Sequence, residues 1–177
     1  LVKSSAASDV YKRQPKYFDG MPLGTSNDQG CGIRLGQSVG GKTNHMNRVT
    51  AWRFLNPPLA FANGIVVNKE GKRFCNEMVY GATLGDAMCE HNDGKAYLIL
   101  DAKLFEDAKK QSNEALPFQR DMAKMLMYLN AKKKKNLNDI AKIYNLCAEN
   151  LTSEVIKYNK AAKEGISCEF GKGANDV

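Results

Sequence analysis

The sequence predicts an α+β fold, and three observations support this class. The β-branched run GIVVN is followed by KEG and then KRF, which is the pattern of a β-hairpin. Farther on, KAYLILD is continuously apolar, as expected for a buried strand that is covered on both faces. The second half of the chain has helical spacing, and 177 residues with 43% hydrophobic content suffice for one core or for parts of two domains.

Residues 28–41 predict a loop, a short helix and a stop. Asp28 can cap the helix, and Gly30 and Gly32 permit a close approach of the backbone. The pair Gly40-Gly41 ends the apolar-periodic stretch. A helix N-terminus behind glycines can hold a phosphate, but a capped structural helix explains the same pattern equally well.

A domain crossing is predicted where VTAWRFLNPP, residues 49–58, closes on a double proline. In the hairpin that follows, Gly71 is available for a left-handed turn conformation. After the hairpin, a helix is predicted from about Thr83 to His91, with Asn92-Asp93-Gly94 as its stop.

The segment after Pro117, a residue that suits a first helical turn, has apolar residues on one helix face. These residues are predicted to pack in the core: Met122, Met125, Leu126 and Leu129.

Two further helices are predicted near the end of the chain. The first covers about residues 137–146. The second begins near Asn150 or Thr152 and is closed by Gly165. No internal repeat accompanies them.

The net charge of +7 favours anionic partners, and part of it comes from the run Lys132 to Lys135. This run could contact a nucleic acid, but a solvated loop is the preferred interpretation because neither an aromatic residue nor an arginine interrupts it. We therefore expect no nucleic-acid partner.

The five cysteines are odd in number, scattered and never in a CxxC pair, which argues against a disulfide framework or a zinc ribbon. This usage predicts a reducing, cytoplasmic location and no metal site. Both histidines, His45 and His91, are interpreted as structural. No apolar run approaches the roughly 20 residues of a membrane-spanning helix, so no membrane span is expected.

The first fourteen residues, LVKSSAASDVYKRQ, have neither a signal-peptide architecture nor an amphipathic period. They look like translated sequencing adapter, and we expect residues 1–14 to be a non-native tail. The last residues, GKGANDV, stop without a helix terminus or a closing strand. We therefore expect both natural ends to be missing.

Candidate chemistry lies at the end of the hairpin, where RFCNEMVYG brings together Arg73, Asn76, Glu77 and Tyr80. A tyrosine phenol can donate a proton to a carbon centre, or remove one if its anion is stabilised. A core tyrosine with a satisfied hydroxyl is the alternative, and spacing alone favours it.

The stretch GIVVNKEGKRFCNE resembles G-x-x-x-V-N-x-x-G-x-R-F-x-N-E of the fumarate reductase and 3-ketosteroid dehydrogenase flavoprotein family. Likewise, QGCGIRLGQSVGGKTNHM resembles the T-G-D-G-I helix of that family, and KAYLILD its Y-L-I-F-D strand. Residues 137–173 are similar to its L-x-x-L-A, L-x-x-T-V-x-x-Y-N and G-x-D-x-x-F-G series. The resemblance covers about Gly24 to Gly173.

The resemblance implies an α/β parent whose FAD-binding domain of the dinucleotide-fold type is interrupted by a smaller α+β cap. Residues 15–58 would belong to the FAD-binding domain and residues 59–177 to an incomplete cap, which closes over the flavin and the substrate. FAD is the implied cofactor, and its glycine-rich turn would lie upstream. The implied cofactor-binding residues are Gly30, Gly32, Asn76 and Glu77.

Differences from the family pattern bear on the substrate. Fumarate reductases have an arginine proton donor a few residues after N-E, where MVYGATLG has none, and Asn56 stands where they have a histidine. Ketosteroid dehydrogenases have a tyrosine near the place of Tyr80, and Cys31 replaces the usual Asp of G-D-G. Trp52 and Phe54 would suit an apolar, planar substrate.

The resemblance therefore implies hydride transfer between flavin and a ketone-activated C–C or C=C bond of a small molecule, with Tyr80 as the catalytic residue. Trp52, Phe54 and Asn56 would line the substrate site. A 3-ketosteroid or similar enone is preferred, and the electron donor or acceptor is left open. Reduction of an unsaturated acid, as in fumarate or urocanate reductases, is the alternative within the family. A basic nucleic-acid-binding module is the alternative from another class.

Overall fold

The computed structural model describes residues 30–46, 53, 55 and 57–173. They fall into two compact units, with residues 30–46 in the first and the others in the second. The first unit contains helix α1, Cys31–Ser38. Asp28, which was expected to cap this helix, lies outside the described residues, and Gly30 occupies the N-cap position.

The second unit is mostly helical with a small two-stranded sheet. Its elements, in chain order, are α2 (Leu59–Ala62), β1 (Ile65–Val67), α3 (Gly81–His91), β2 (Tyr97–Ile99), α4 (Ala102–Glu114), α5 (Pro117–Met125), a π-helical turn (Leu126–Asn130), α6 (Leu137–Tyr144), α7 (Ala148–Glu164) and a 3₁₀ turn (Glu169–Gly171). The α+β class is confirmed at this level. A dinucleotide fold is not shown by the described part of residues 15–58.

Strand β1 pairs with β2 in antiparallel register, with Val66 opposite Leu98. Alternate residues of β1 serve opposite faces: Ile65 and Val67 pack with Leu151 of α7, whereas Val66 packs with Leu84 of α3. All three residues of β1 are buried because both faces are covered. The residues of β2 are only half-buried, so the prediction of a fully buried second strand was wrong.

The predicted hairpin turn is present, but its second strand is not. The amide N of Asn68 donates to the Lys72 carbonyl at 2.9 Å, and that of Gly71, at φ +74°, donates to the Asn68 carbonyl at 2.9 Å. Only an isolated bridge joins Val67 to Arg73 before the ladder ends. The Arg73 side chain forms a buried ion pair with Glu77, four residues later.

The predicted helices are present, although some of their ends differ: α6 begins at Leu137 as expected but ends at Tyr144 instead of about residue 146. Helix α3 begins two residues earlier than expected, at Gly81, and α5 has Pro117 in its first turn as expected. Helix α7 begins at Ala148 instead of near Asn150 or Thr152, and it ends at Gly165 as expected. Asn150 instead donates its side-chain amide to the Glu70 carbonyl of the hairpin turn at 2.9 Å.

Helix α4 was not predicted, although the sequence contains its N-cap residue: the Asp101 carboxylate accepts from the Leu104 amide at 2.7 Å.

The predicted core face of α5 was wrong. Met125, Leu126 and Leu129 are 42%, 39% and 70% exposed, and the buried positions are Ala123 and Met127. The helix passes into a π-helical turn at Leu126, which widens the residue spacing and changes the buried face.

No helix among the described residues combines the length and apolar character that crossing a bilayer requires.

Candidate functional site

A buried network of charged and polar side chains lies at the end of the hairpin turn. It is called the Glu77 network here and consists of Arg73, Glu77, Tyr158 and Lys172. Glu77 Oε1 accepts from the Val66 amide at 3.0 Å and from Arg73 Nε at 2.9 Å. Glu77 Oε2 accepts from Arg73 Nη2 at 2.7 Å and lies 3.5 Å from Lys172 Nζ. The Arg73 and Glu77 side chains are 2% and 0% exposed, so the pair is removed from water.

Lys172 enters this network from the opposite end of the chain, and its side chain is fully buried. Its Nζ donates to the carbonyls of Ala62 at 2.6 Å and Gly64 at 3.0 Å, and to the Tyr158 hydroxyl at 2.6 Å. The Tyr158 hydroxyl in turn donates to the Asn63 carbonyl at 2.8 Å. Three oxygen acceptors match the three protons of the ammonium, which is the condition for burying such a group.

The network sets the protonation of its members and of the neighbouring Cys75. Burial lowers the pKa of Lys172, although the charge of Glu77 opposes this. Burial alone would also lower the pKa of Arg73, but its hydrogen bonds and charge interaction with Glu77 outweigh that effect and raise the pKa. Burial, reinforced by the charge of Glu77, raises the pKa of the Cys75 thiol to about 12. Arg73 is therefore a permanent cation, and Cys75 is a protonated thiol.

A tight turn connects the network to Tyr80. Asn76 Oδ1 accepts from the Met78 amide at 2.9 Å, and the Asn76 carbonyl accepts from the Val79 amide at 3.3 Å. Tyr80 then occupies the N-cap position of α3, and its carbonyl accepts from the Thr83 amide at 2.8 Å. The Tyr80 residue is 64% exposed. The buried network and an exposed phenol are thus separated by one turn of chain.

Arg53, which the sequence analysis did not single out, lies against this turn. Its amide donates to the Gly81 carbonyl at 3.0 Å, and a Cβ built on Gly81 would lie only 2.7 Å from the Arg53 carbonyl oxygen. The main chain at residue 53 therefore runs beside the residue that follows Tyr80. Three expected substrate-lining residues come from the same segment but lie outside the described residues: Trp52, Phe54 and Asn56. In the sequence, the feature that could have marked Arg53 as a candidate site residue is its position between two aromatic residues.

The two glycines of the first unit are at the start of α1. Gly30 is buried at the N-cap with φ 78°, and a Cβ on Gly32 would meet no atom within 4 Å. The first turn of α1 contains no acidic residue. Backbone amides at such a helix start can approach an anionic group closely.

The lysine run, the two histidines and the five cysteines are the remaining residues that the sequence analysis considered. Lys132 to Lys135 are exposed in the segment after the π-helical turn. His45 has φ 52°, and His91 is in the last turn of α3. All five cysteines are free thiols. In the described ranges, no group of three or more His, Cys, Asp or Glu side chains could hold a metal ion.

Sequence comparison finds related oxidoreductases, although no protein-family model matches the chain. A 3-oxo-5-alpha-steroid 4-dehydrogenase from Comamonas testosteroni is 40% identical over 159 residues, which are 89% of this chain and 30% of that protein. An NADH:acrylate oxidoreductase from Vibrio harveyi is 26% identical over 154 residues, which are 82% of this chain and 15% of that protein. The chain thus spans less than a third of the length of these relatives.

Solved structures share the fold. The 3-ketosteroid-delta4-(5alpha)-dehydrogenase from Rhodococcus jostii RHA1, in complex with 4-androstene-3,17-dione, matches with a TM-score of 0.73 and 24% identity over 99% of this chain and 35% of that one. The open conformation of a flavocytochrome c3 fumarate reductase matches with a TM-score of 0.61 and 19% identity over 97% of this chain and 30% of that one. The resemblance recognised in the sequence is confirmed: over most of its length the chain is similar to a steroid 4-dehydrogenase and to an acrylate oxidoreductase, and it shares the fold of a ketosteroid dehydrogenase and a fumarate reductase.

Proposed function

We propose that this chain is part of an FAD-dependent oxidoreductase that exchanges hydride between the flavin and a ketone-activated C–C or C=C bond, with a 3-ketosteroid or similar enone as substrate. The observation that supports this most is the 40% identity to a 3-oxo-5-alpha-steroid 4-dehydrogenase over 89% of the chain. In this proposal residues 15–58 belong to the FAD-binding domain and residues 59–177 to the cap.

The four residues expected at the cofactor would act in different ways. Gly30 and Gly32 would let the start of α1 approach a phosphate of FAD, as their backbone geometry permits. Asn76 would offer its carboxamide nitrogen towards the cofactor, since its oxygen accepts from Met78. Glu77 would act by holding the turn, because both of its oxygens accept hydrogen bonds inside the protein.

Tyr80 would carry the proton that accompanies the hydride. A bound flavin supplies hydride exchange at one carbon of the substrate. In the oxidative direction a Tyr80 phenolate would take the proton from the neighbouring carbon and become the phenol, and the electron pair of that C–H bond would form the new C=C bond as hydride leaves the first carbon. In the reductive direction the same phenol returns the proton. The exposure of Tyr80 and its fixed backbone at the start of α3 suit this exchange.

The test is a chimera in which residues 24–173 replace the matching segment of the Comamonas testosteroni enzyme. We expect a yellow, FAD-containing protein that turns over 3-ketosteroids. In this chimera Tyr80→Phe should lower kcat by at least about 100-fold, which is the usual contribution of a general acid or base, while the flavin spectrum is unchanged.

The matched control is Tyr128→Phe, because Tyr128 is 66% exposed and Tyr80 64%. This control should leave kcat unchanged. A colourless chimera would contradict the flavin assignment, and full turnover of the Tyr80→Phe variant would remove Tyr80 from the reaction.

A second candidate function is the reduction of a small unsaturated acid. The similarity to an NADH:acrylate oxidoreductase and the position of Arg53 beside the Tyr80 turn favour it, since a guanidinium can bind a carboxylate. In the same chimera, Arg53→Gln should then abolish activity on acrylate-type acids and spare activity on enones. Activity on enones alone, unaffected by this change, would exclude the acid substrate.

A further inference from the structure

We propose that the Glu77 network positions Tyr80, so that Lys172 controls the geometry of the proton-transfer residue through Glu77. This inference rests on the proposed function. Lys172 does not itself approach the reacting atoms, and it is a positioning residue that acts through the turn at Asn76.

The backbone of Tyr80 is anchored on both sides. On its N-terminal side, Glu77 is tied to Arg73 and to the Val66 amide of β1. On its C-terminal side, helix α3 packs through Leu84, which is 2% exposed. Only Met78, Val79 and Tyr80 lie between Glu77 and the first residue of α3, Gly81, and the hydrogen bonds to Asn76 tighten the turn further. A displacement of Glu77 must therefore appear at Tyr80.

Lys172 fastens the network to the rest of the unit. Its ammonium group donates to the carbonyls of Ala62, at the end of α2, and of Gly64, in the loop that leads into β1. A short loop presents it, in which the Cys168 amide donates to the Lys172 carbonyl at 2.9 Å. In the same loop the Phe170 ring lies 5.7 Å from the Arg73 guanidinium carbon. The loop thus covers the network and supplies its second cation.

The charges of the network determine which residue can be substituted informatively. Two cations, Arg73 and Lys172, face one carboxylate, and both also lie against the Tyr158 ring, at 5.2 Å and 4.7 Å from its centre. Removing the charge of Lys172 leaves the Arg73–Glu77 pair neutral and intact, whereas removing Glu77 leaves two cations together. Lys172→Met is therefore the informative change, because it removes the contacts of the ammonium group and keeps the Arg73–Glu77 pair.

A purely structural network would support the loop before β1 without affecting Tyr80, and hydrogen exchange on the 177-residue chain distinguishes the two cases. Lys172→Met should speed amide exchange in residues 76–81 by about 10-fold or more relative to the unchanged chain. Met127→Ala, a change at a buried residue in a different core cluster, is the control under conditions of matched global stability. Equal exchange of residues 76–81 in the two variants would overturn the inference.

The second experiment is a double-mutant cycle in the chimera described above. Lys172→Met should lower kcat about 10-fold while KM and the flavin spectrum stay unchanged. In a Tyr80→Phe background the same change should have no further effect, because its influence passes through the phenol. Independent, multiplying losses would overturn the inference while leaving the proposed function intact. Full turnover of Tyr80→Phe alone would overturn both.

Discussion

Two regions of the molecule differ in the type of side chain that they bury. In the hairpin region, residues 64–81, the charged residues Arg73 and Glu77 are buried at 7% and 1% exposure. In the α5 region, residues 116–130, apolar residues such as Leu116 and Leu129 are about 70% exposed, at 69% and 70%. Residue type alone would have placed each set on the other side of the surface.

The contrast shows that a side chain is buried where the fold supplies hydrogen-bond or packing partners for it. Glu77 is buried because three donors, the Val66 amide and two guanidinium nitrogens of Arg73, meet its two oxygens, and the Lys172 ammonium lies 3.5 Å from Oε2. Leu129 is exposed because α5 and the π-helical turn already bury Ala123 and Met127 against the core. The exposed side of that helix has no further element over it among the described residues.

The largest expected effect is that of Glu77→Ala, which should lower the free energy of unfolding by about 3–5 kcal/mol, because it leaves the Arg73 guanidinium and the Val66 amide without an acceptor and two buried cations without a counter-charge. Urea denaturation of the 177-residue chain measures this loss. Glu114→Ala, at the exposed end of α4, is the control and should be nearly neutral. A loss below about 1 kcal/mol at Glu77 would show that the burial of this pair does not matter for stability.

Met127→Ala should have the next largest effect, about 2–3 kcal/mol in the same measurement. Met127 is 5% exposed and packs near the small residues Ala60, Ala108 and Ala123, so the lower part of the usual range is expected. A negligible loss would mean that the core cluster under α5 is not formed as described.

Gly71→Ala should cost about 1–3 kcal/mol, because φ at Gly71 is +74° and the new Cβ would lie 2.7 Å from the Cys147 carbonyl oxygen. Gly94→Ala is the matched control: φ is +70° there, but no atom lies within 4 Å of the added carbon. The difference between the two variants measures the contact of the hairpin turn with the start of α7. Equal losses would show that only backbone strain matters at Gly71.

The pH dependence of the free energy of unfolding should show the raised pKa of the Cys75 thiol. Its pKa is raised from 9.0 to about 12, so the folded state keeps a proton that the unfolded chain loses near pH 9. Stability contributed by this thiol is complete below pH 9 and falls as the pH rises towards 12, by about 1.4 kcal/mol per pH unit between these limits. Comparison with Cys75→Ala isolates this slope from that of Lys172. Parallel curves for the two proteins would contradict the raised pKa.

The smallest expected effect is that of Leu129→Ser, which should change the free energy of unfolding by no more than about 0.5 kcal/mol, because the side chain is already in water. Thermal or urea unfolding next to Met127→Ala provides the direct contrast within one helix. A loss comparable to that of Met127→Ala would show that the exposed face is covered in solution.

Local signals in the sequence predicted much of the helical part of the fold. Pro117 marked the start of α5, and Gly165 marked the end of α7, because φ and hydrogen-bond constraints act over one turn of chain. The hairpin turn at Gly71 was predicted for the same reason. The long motif around the turn also indicated the resemblance to ketosteroid dehydrogenases and fumarate reductases, which the comparisons confirm.

The candidate site was only partly accessible to this reasoning. The proximity of Arg73, Asn76, Glu77 and Tyr80 in the sequence predicted a cluster at the hairpin end, and the structure keeps them within one turn of each other. Neither Lys172 nor Arg53 could be placed there, since each reaches the cluster from a distant part of the chain. The roles proposed for Tyr80 and the glycines of α1 stay predictions.

What the sequence by itself determined is the set of turns, helix ends and strand propensities, each of which depends on residues within about four positions of one another. Only the tertiary structure decided that β1 pairs with β2 instead of with the KRF segment, that Glu77 and Lys172 are buried, and that Leu129 is exposed. These outcomes depend on which distant groups can meet a given donor, acceptor or apolar surface, and no local pattern specifies such a meeting.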